Sequence, residues 1–428
     1  MPPETVILYQ LLIPMTKAIL PVLCLIIISS SVFSQGTGPA YEFKNGNWYN
    51  GSAFVPGSWY SVGGKLTRKA PAKVDSVIDL ANRWVVPPLG DAFCSSVADN
   101  PAGKNQLKMY ADEGVFYLQI LGNTQEGRKT AEAQINQPAH PDAVFANGGF
   151  TCTLGYPFLK YEGPAQGVRN PQTMAEQYNK VREGRKMEGD GYWFIDNKTA
   201  ADKIWEKVKA QKPGVISIYL LDADNSGGKE TRGLTPDAAK AVVKKAHKSG
   251  LRVFAHVETA ADVALGLKLG VDGFANLPGH NWDGAGDGKK YEISDQYLKK
   301  LAKKKIPVIP LLSHAQTQTP RPGVQEQQAK MIKRLLDNGV NVVIGSDDTQ
   351  RTIRGELNYW FQVGNMDYAQ ILQIVCVNTP QAIFPKRKIG RLDEGYEASF
   401  LVLNDNPINN ILKLRAIAFK VKNGAILK

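Results

Sequence analysis

Residues 235–257 read TPDAAKAVVKKAHKSGLRVFAHV, and this stretch decides the fold because it holds a helix and a strand in succession. Thr235 followed by Pro236 is a typical helix start, since threonine caps the first turn and proline suits its first position. Small and branched apolar residues then recur at helical spacing until Gly250, which favours the end of a helix. The run from Leu251 to Val257 is apolar and of strand length. The pattern therefore predicts a helix that leads directly into a buried strand.

The same alternation repeats through the middle of the chain. Eight apolar runs of strand length are separated by helical patterns, and they cover Trp84 to Pro87, Val115 to Leu121, Ala143 to Thr153, Val215 to Leu221, Leu251 to Val257, Val271 to Ala275, Ile306 to Leu312 and Asn341 to Ile344. Strands that alternate with helices predict parallel βαβ units, and eight of them in about 300 residues fit a closed (β/α)8 TIM barrel better than an open sheet. We therefore predict an α/β fold with a barrel over residues 84–384.

The two chain ends have a different, β-rich character. Short aromatic and β-branched runs, several of them next to Asn-Gly or Gly-Gly turns, occupy residues 41–51, 59–64, 398–403 and 416–421. Such runs with such turns are hairpin signals. We expect residues 36–83 and 385–428 to assemble into one small β-sandwich domain beside the barrel.

The first 35 residues show the order of regions found in an export signal. Met15 to Lys17 supplies a basic start, and an apolar run from Ala18 to Ile28 and a small polar segment follow. The apolar run is shorter than the ~20 residues that a membrane-spanning helix needs. We predict removal of residues 1–35, with Met15 as an alternative start, and an exported protein, periplasmic or extracellular, without a membrane span.

The basic charge belongs to the mature protein. Lys and Arg number 52 against 40 Asp and Glu, a net charge of +12, and residues 1–35 hold one charge of each sign. The basic residues are spread along amphipathic helical patterns without an arginine-rich arm, so we expect no nucleic-acid binding and a weak preference for anionic surfaces or substrates. A hydrophobic content of 43% is typical of a globular chain. The oligomeric state stays open, a homo-oligomer included.

Three cysteines follow the predicted signal, namely Cys94, Cys152 and Cys376. They lack the CxxC spacing of a zinc finger. In an exported protein Cys94 and Cys152 are the candidates for a disulfide, because both fall near predicted strand ends. Three reduced and partly buried thiols are the alternative.

The carboxyl ends of the predicted strands are where a functional site is expected, because the chemistry of (β/α)8 barrels lies there. The residues that follow the apolar runs are Asp91 to Ser96, Gly155-Tyr156, Asp222 to Asp224, His256, Asn276 to His280, Ser313-His314 and Ser346 to Asp348. The predicted binding residues among them are Asn276, His280, Tyr156 and His314.

Motifs along most of the chain are similar to those of one enzyme family. Residues 85–92 are similar to a strand-one signature that leads into Asp-Ala-His-x-His. Residues 254–256 are similar to the segment that carries a strand-five histidine, and residues 345–347 are similar to a strand-eight Gly-Ser/Thr-Asp. Residues 378–382, 389–395 and 398–403 are similar to the passage from the last barrel helix into the returning β-domain. The sequence thus resembles the amidohydrolase superfamily, particularly its exported members similar to imidazolonepropionase and dipeptidase. The resemblance implies a barrel with a small β-sandwich and hydrolysis of amide, lactam or ester bonds by metal-activated water.

The metal ligands that the resemblance implies are mostly absent. The family uses two histidines after strand one, a carboxylated lysine or a glutamate on strand four, a histidine after each of strands five and six, and an aspartate after strand eight. His256 and Asp347 match this set, and no histidine precedes His140 that could restore the strand-one pair. The other ligand positions fall on Phe93, Ser95, Ser217 and Asn276.

The remaining donors are too few for a catalytic zinc site, which usually needs three protein ligands and an open position for water. We therefore expect no cofactor. The predicted protein is amidohydrolase-like, by resemblance a hydrolase of non-peptide or dipeptide C–N bonds, with a dismantled metal site and the role of a pseudoenzyme or small-molecule binder. The alternative is an active hydrolase that uses His256 and Asp347 as catalytic residues. They would act either with one zinc ion and a third ligand, such as Cys94 or His280, or as a metal-free acid–base dyad.

Overall fold

The computed structural model describes residues 38–97, 103–221, 233–280, 282, 284, 288–313, 322–363 and 366–427. Some sequence expectations lie outside these residues. They are the export signal over residues 1–35, the strand-end segment Asp222 to Asp224 and the binding residue His314. Within the described ranges, no helix is both long enough and apolar enough to cross a membrane.

Seventeen strands lie in the described residues and are numbered here in chain order. They are β1 Tyr41–Tyr49, β2 Phe54–Val62, β3 Lys65–Thr67, β4 Ser76–Asp79, β5 Trp84–Val86, β6 Leu89–Asp91, β7 Val115–Ile120, β8 Asp142–Phe145, β9 Gly149–Thr151, β10 Tyr192–Phe194, β11 Ile216–Tyr219, β12 Val253–His256, β13 Gly273–Ala275, β14 Val308–Ile309, β15 Phe400–Leu403, β16 Ile417–Lys422 and β17 Ala425–Leu427.

Thirteen α-helices accompany them in the same part of the chain. They are α1 Gly103–Asp112, α2 Gln125–Glu132, α3 Phe158–Ala165, α4 Pro171–Glu176, α5 Tyr178–Val181, α6 Lys198–Ala210, α7 Pro236–Lys248, α8 Ala260–Leu269, α9 Asp295–Lys303, α10 Pro322–Asp337, α11 Ile353–Val363, α12 Tyr368–Gln373 and α13 Thr379–Ile383.

The strands in the middle of the chain form two parallel sheets. One has the order β10-β9-β11-β12-β13-β14 and the other β6-β7-β8, and every pair within them is parallel. This confirms the predicted α/β fold. The predicted run Ala143 to Thr153 contains β9 and most of β8, which lie in different sheets. Each other predicted run from Val115 onward contains one of these strands, except for Asn341 to Ile344, where Val342 makes an isolated parallel bridge to Val308.

Backbone hydrogen bonds join the two parallel sheets on both sides. Gly214 N donates to Phe145 O at 2.9 Å, which connects the start of β11 to β8. On the other side Val343 N donates to Val308 O at 3.0 Å, and Ala92 N donates to Ile344 O at 2.8 Å. Because neighbouring parallel strands end at the same edge, their carboxyl ends lie on one side of the molecule.

The prediction that Trp84 to Pro87 is the first strand of the barrel is wrong. Residues 84–86 form β5, which pairs with β1 and with β15 in the sheet of the chain ends. The first strand of the parallel sheets is instead β6, Leu89–Asp91. The two consecutive prolines, Pro87 and Pro88, have no N–H group to donate and therefore divide one apolar run into two strands.

Strands from both chain ends lie in one eight-stranded sheet. Its order is β17-β16-β15-β5-β1-β2-β3, with β4 paired to β1. Aromatic rings fill its core, where the ring centroid of Phe400 lies 4.9 Å from that of Phe43 and 5.3 Å from that of Trp48. The N-terminal strands are therefore held against the C-terminal ones through side chains as well as backbone.

A segment between the third and fourth predicted runs has structure that the sequence analysis did not resolve. It contains α3, α4, α5 and β10, and β10 extends the larger parallel sheet by pairing with β9. Phe158, Tyr161 and Tyr192 are buried in a small core of its own. This segment holds Tyr156 beside the carboxyl ends of the parallel strands.

The helix predicted from Thr235 is present as α7. The Thr235 side chain accepts a hydrogen bond from Ala238 N at 3.3 Å, and Pro236 occupies the first turn. Gly250 follows the helix with a φ of +71°, a backbone conformation that glycine adopts without strain. Both end signals in the sequence thus act as expected.

Candidate functional site at the carboxyl ends of the parallel strands

Asp91 connects the end of β6 to the residues that follow Ile344. Its carboxylate is fully buried and accepts hydrogen bonds from Phe93 N, Tyr110 Oη, Ser346 N and Ser346 Oγ, at 3.1, 2.9, 3.0 and 2.6 Å. Burial raises the pKa of Asp91 to about 6, although these bonds act in the opposite direction. Because its carboxylate already accepts four hydrogen bonds, Asp91 acts as a positioning residue that holds the backbone at Phe93 and Ser346.

Ser95 and Asp347 contact each other next to the hydrogen bonds of Asp91. Ser95 Oγ donates to Asp347 Oδ1 at 2.5 Å, and Asp347 N donates to Phe93 O at 2.7 Å. Asp347 has a φ of +40°, a left-handed conformation that is uncommon for a residue other than glycine. The backbone thus directs the Asp347 carboxylate toward the strand-one residues.

His256 ends β12 and is almost entirely buried. Its Nε2 lies 2.8 Å from Ser217 Oγ on the neighbouring strand β11. Burial lowers the pKa of His256 to about 3, while the Asn276 side chain opposes this shift and the Lys160 ammonium adds to it. The imidazole is therefore neutral at physiological pH.

Aromatic rings enclose this imidazole. The Tyr219 ring is stacked on it, with centroids 4.2 Å apart and planes 19° apart, and the Phe93 ring meets it edge-on at 5.2 Å. Tyr156 in turn contacts Tyr219 edge-on at 5.3 Å. Four rings therefore run from the strand-one position, through His256, to the exposed Tyr156.

Tyr219 is the site residue that the sequence analysis missed. A signal was available, because Tyr219 lies two residues after Ser217 and alternate residues of a strand face the same side. Gly149 makes room for the ring, since a Cβ there would lie 2.5 Å from Tyr219 Cε2. The phenol reaches toward Gly122, whose added Cβ would lie 3.8 Å from Tyr219 Oη. The ring thus spans from His256 to the end of β7.

A model of the amidohydrolase family matches residues 145–428, about two thirds of the chain. The chain belongs to the amidohydrolase family. The match begins after the strand-one positions Phe93 and Ser95, where this member departs from the ligand pattern described above. Ochratoxinase from Aspergillus niger is 21% identical to it over 257 residues, which are 56% of this chain and 52% of the ochratoxinase. The matched part therefore spans about half the length of this relative.

Solved structures of other amidohydrolase-like proteins have the same fold. The structure of A. niger ochratoxinase aligns with a TM-score of 0.68 at 15% identity, and the alignment covers 91% of this chain and 96% of that one. A Xaa-Pro dipeptidase with bound methionine gives the same score and identity over 91% and 100% of the two chains. Molinate hydrolase gives 0.64 at 15% identity over 92% and 96%.

The donor set of this amidohydrolase does not fit the metal centre that the resemblance implies. Among the described residues, no three His, Cys, Asp or Glu side chains are grouped so that they could hold a metal ion. The two matching residues are both engaged by residues at substituted positions, because Ser217 bonds His256 and Ser95 bonds Asp347. A phenyl ring, two hydroxyls and a carboxamide replace the missing imidazoles and carboxylate, and none of them is a usual zinc ligand.

Neither candidate for a third ligand completes the site. Cys94 Sγ lies 3.8 Å from Ser96 Oγ, and burial raises the pKa of this thiol to about 12, so it stays protonated. His280 is buried and follows a turn in which its N–H donates to Leu277 O. The hydrogen-bond partner that the structure shows for the His256 imidazole is Ser217 Oγ, at 2.8 Å.

The Ser217–His256 contact has the spacing of a nucleophile and its base, but its setting is different. Ser217 is completely buried, and the stacked Tyr219 ring covers the imidazole. A substrate carbonyl therefore has no approach to Ser217 Oγ, which acts as a hydrogen-bond partner of His256.

Cys94, Cys152 and Cys376 are buried and form no disulfide with one another. Cys94 and Cys152 do not form the disulfide that was one of the two expectations. The alternative of three reduced thiols describes the structure.

Proposed function

We propose that this protein binds a small molecule at the carboxyl ends of its parallel strands and does not hydrolyse it through a bound metal ion. Family membership supports a hydrolase of C–N bonds as the ancestral activity. The local chemistry supports a binder or pseudoenzyme instead, because the residues that would hold a metal ion bond to each other.

One observation carries this proposal. Ser95 and Ser217 stand at two substituted ligand positions, and they hydrogen-bond to the two family residues that remain, at 2.5 Å to Asp347 and 2.8 Å to His256. Each serine hydroxyl satisfies a group that a metal ion would otherwise bind. The phenyl ring of Phe93 adds apolar volume, which suits a ligand pocket better than a site for hydrolytic water.

The metal-free dyad is less well supported. It requires a hydrogen bond from His256 to Asp347, through which the carboxylate would orient the imidazole and raise its basicity. The imidazole instead bonds Ser217, and its pKa of about 3 makes it a weak base at neutral pH.

We further propose that the two parallel sheets close into the (β/α)8 barrel and that the sheet of the chain ends is folded into the β-sandwich. The hydrogen bonds at Gly214, Val343 and Ala92 support closure, because they connect both sides of the two sheets. The barrel then begins near Leu89, after the two prolines. Export also stays a proposal, and the N-terminal sequence of the protein from its source would test it.

The function is tested by metal analysis together with hydrolysis assays on dipeptides, lactams and lactones. We expect substoichiometric zinc in protein purified without chelators and no turnover above a buffer control. Stoichiometric zinc, or turnover that Asp347→Asn abolishes, contradicts the proposal. Thermal stabilisation by a compound that is recovered unchanged supports it.

A further inference from the structure

We propose that the amino-end side of the parallel strands, opposite the candidate site, binds an anionic phospholipid membrane. This inference is independent of the proposed function, since it concerns another surface and a different partner. It rests on a group of exposed lysines at the ends of four consecutive helices, which we call the lysine face. Its members are Lys207, Lys212, Lys248, Lys268, Lys303 and Lys305.

The order of the elements places the lysine face on one side of the molecule. Each of α6, α7, α8 and α9 precedes a parallel strand, so each helix ends where the next strand begins. Side-chain contacts hold these ends together. Trp205 Nε1 in α6 donates to Ser249 Oγ after α7 at 3.1 Å, and His247 Nε2 in α7 lies 2.9 Å from Asp272 Oδ2 before β13. Because the amino ends of neighbouring parallel strands lie at the same edge, the lysines at these helix ends share one surface.

The positive charge of the lysine face is not compensated. All six lysines are exposed, and none of them forms an ion pair with a residue that the structure describes. The acidic residues at these helix ends already have other partners, since Glu206 lies 2.8 Å from Lys209 and Asp272 lies 2.9 Å from His247. An anionic surface can therefore approach the six ammonium groups without displacing an existing ion pair.

Two members of the lysine face stand where glycine would be favoured. Lys212 and Lys305 each lie one residue beyond the C-cap of a helix, with φ angles of +49° and +52°. Gly250 has this place after α7, and a residue with a Cβ is strained there. The helix dipoles already have cations in the last turns, such as Lys209 and Lys303. Local stability therefore does not explain the two lysines, whereas a surface that uses their charge does.

The composition of these helices favours a lipid bilayer over a nucleic acid. The four helices contain no arginine, and their aromatic residues are the buried Trp205 and the half-buried Tyr297. Nucleic-acid sites commonly use arginine to contact base edges and exposed rings to stack on bases. Hydrated ammonium groups spread over a surface instead suit the diffuse negative charge of anionic headgroups, where each lysine adds about fivefold in affinity.

Binding through the lysine face leaves the candidate site accessible. The site lies at the carboxyl ends of the same strands, where His256 ends β12, so the bound protein presents it to the solvent. Because the contact consists of lysine ammonium groups, the attachment is reversible and sensitive to salt.

The test is cosedimentation of the protein with lipid vesicles. Vesicles of equal parts phosphatidylglycerol and phosphatidylcholine are compared with vesicles of phosphatidylcholine alone. We expect the protein to bind the anionic vesicles at low salt, with an affinity that falls as sodium chloride is added, and to leave the neutral vesicles unbound. Equal binding to both vesicles, or no binding to the anionic ones, overturns the inference. A DNA duplex that binds more tightly than the anionic vesicles at the same ionic strength also overturns it.

Double variants locate the contact. Lys212→Gln/Lys305→Gln is expected to weaken binding to the anionic vesicles roughly twentyfold, about fivefold for each lysine, and Lys212→Arg/Lys305→Arg to retain it. The matched control is Lys65→Gln/Lys69→Gln, which removes the same charge from two exposed lysines in and next to β3. This control should bind as the wild type does. Equal losses in the two glutamine variants overturn the inference, because net charge and not the lysine face would then hold the membrane.

Exchange of the two strained lysines for glycine separates binding from folding. Lys212→Gly/Lys305→Gly relieves the left-handed backbone and should raise the urea midpoint of unfolding, while it weakens vesicle binding as the glutamine variant does. A variant that is at least as stable as the wild type and binds less supports the membrane contact. Vesicle binding of the glycine variant equal to that of the wild type overturns the inference.

Discussion

The His256 imidazole lies between two aromatic rings, and its protonation is therefore coupled to folding. Its pKa is about 3 in the folded protein against 6.5 when exposed. Above pH 6.5 the imidazole is neutral in both the folded and the unfolded protein. Between pH 6.5 and pH 3 it is protonated in the unfolded protein and stays neutral in the folded protein. The stability from this group is full above pH 6.5 and is lost as the pH falls toward 3.

This effect is measurable in His256→Gln. Because the variant lacks the titrating group, we expect its free energy of unfolding to approach that of the wild type as the pH is lowered from 8 to 5, by at most about 1.4 kcal/mol per pH unit below 6.5. Urea unfolding across this range checks it. Ser217→Ala keeps the imidazole and should retain the wild-type pH dependence, and a constant gap between His256→Gln and wild type would show that the imidazole titrates normally.

The missing donors can be supplied at Phe93 and Ser95. The double variant Phe93→His/Ser95→His places two imidazoles beside His256 and Asp347, which gives four potential ligands. We expect it to take up about one zinc ion per chain where the wild type takes up far less, measured by elemental analysis after dialysis. Adding Asp347→Asn should weaken this uptake. Equal zinc content per chain in the wild type and the double variant would contradict the conclusion that missing ligands prevent metal binding.

The sequence was sufficient to locate Phe93, Ser95, His256 and Asp347, because each follows a strand in a short motif. It could not place their hydrogen bonds, since Ser95 and Asp347 are far apart in the chain and meet only when the first strand lies beside residues 342–344. Tyr219 was missed because the family comparison directs attention to ligand positions, whereas the ring fills space between them.

At the scale of elements, the packing between two strands depends on a glycine in a third strand. Gly149 in β9 allows the Tyr219 ring of β11 to lie flat on His256 in β12, because a Cβ at residue 149 would approach the ring to 2.5 Å. We expect Gly149→Ala to cost about 1–3 kcal/mol in the free energy of unfolding, since the ring must move in a packed interior.

Chemical unfolding and the near-ultraviolet circular dichroism of the tyrosine check this expectation together. Gly323→Ala is the matched control, because the residue is helical and, among the described residues outside its own helical turn, no atom lies within 4 Å of the added methyl group. It should be neutral or slightly stabilising. Equal effects of both substitutions would mean that the Tyr219 ring is not confined.

Elements with local end signals were predictable and those with only long-range partners were not. The start of α7 follows from Thr235 and Pro236, which act within one helical turn. The three-residue strand β10 follows from pairing with β9, and no pattern inside Tyr192 to Phe194 shows that partner. Pro87 and Pro88 marked the break between β5 and β6. The prediction assigned Trp84 to the wrong sheet because it relied only on the hydrophobicity of the run.

At the scale of the whole molecule, a buried ion network fastens the sheet of the chain ends to the parallel strands. Lys422 Nζ in β16 lies 2.6 Å from Asp142 Oδ1 in β8, and Arg387 lies 2.8 Å from the other oxygen of Asp142. The Lys422 side chain is 5% exposed and that of Asp142 is 11% exposed. Asp142 is the carboxylate that pairs with Lys422, whereas Arg387 also pairs with Glu397 at 2.7 Å.

We expect Asp142→Asn to cost about 3–5 kcal/mol in the free energy of unfolding, because it leaves the buried Lys422 ammonium without its counter-charge, although Arg387 keeps Glu397. Asp337→Asn removes an exposed partner of Lys333 and should cost less than about 1 kcal/mol. Urea unfolding of both variants checks the contrast. A small effect of Asp142→Asn would indicate that water reaches the network.

The pairing of β5 with β15 has a consequence for synthesis on the ribosome. One edge of Trp84–Val86 receives its partner only when Phe400–Leu403 emerges, roughly 300 residues later. At about 5–20 residues per second that edge stays uncovered for roughly 15–60 s, and an uncovered apolar edge is where nascent chains associate wrongly. The need for a chaperone during translation should accordingly end with the arrival of the last strands.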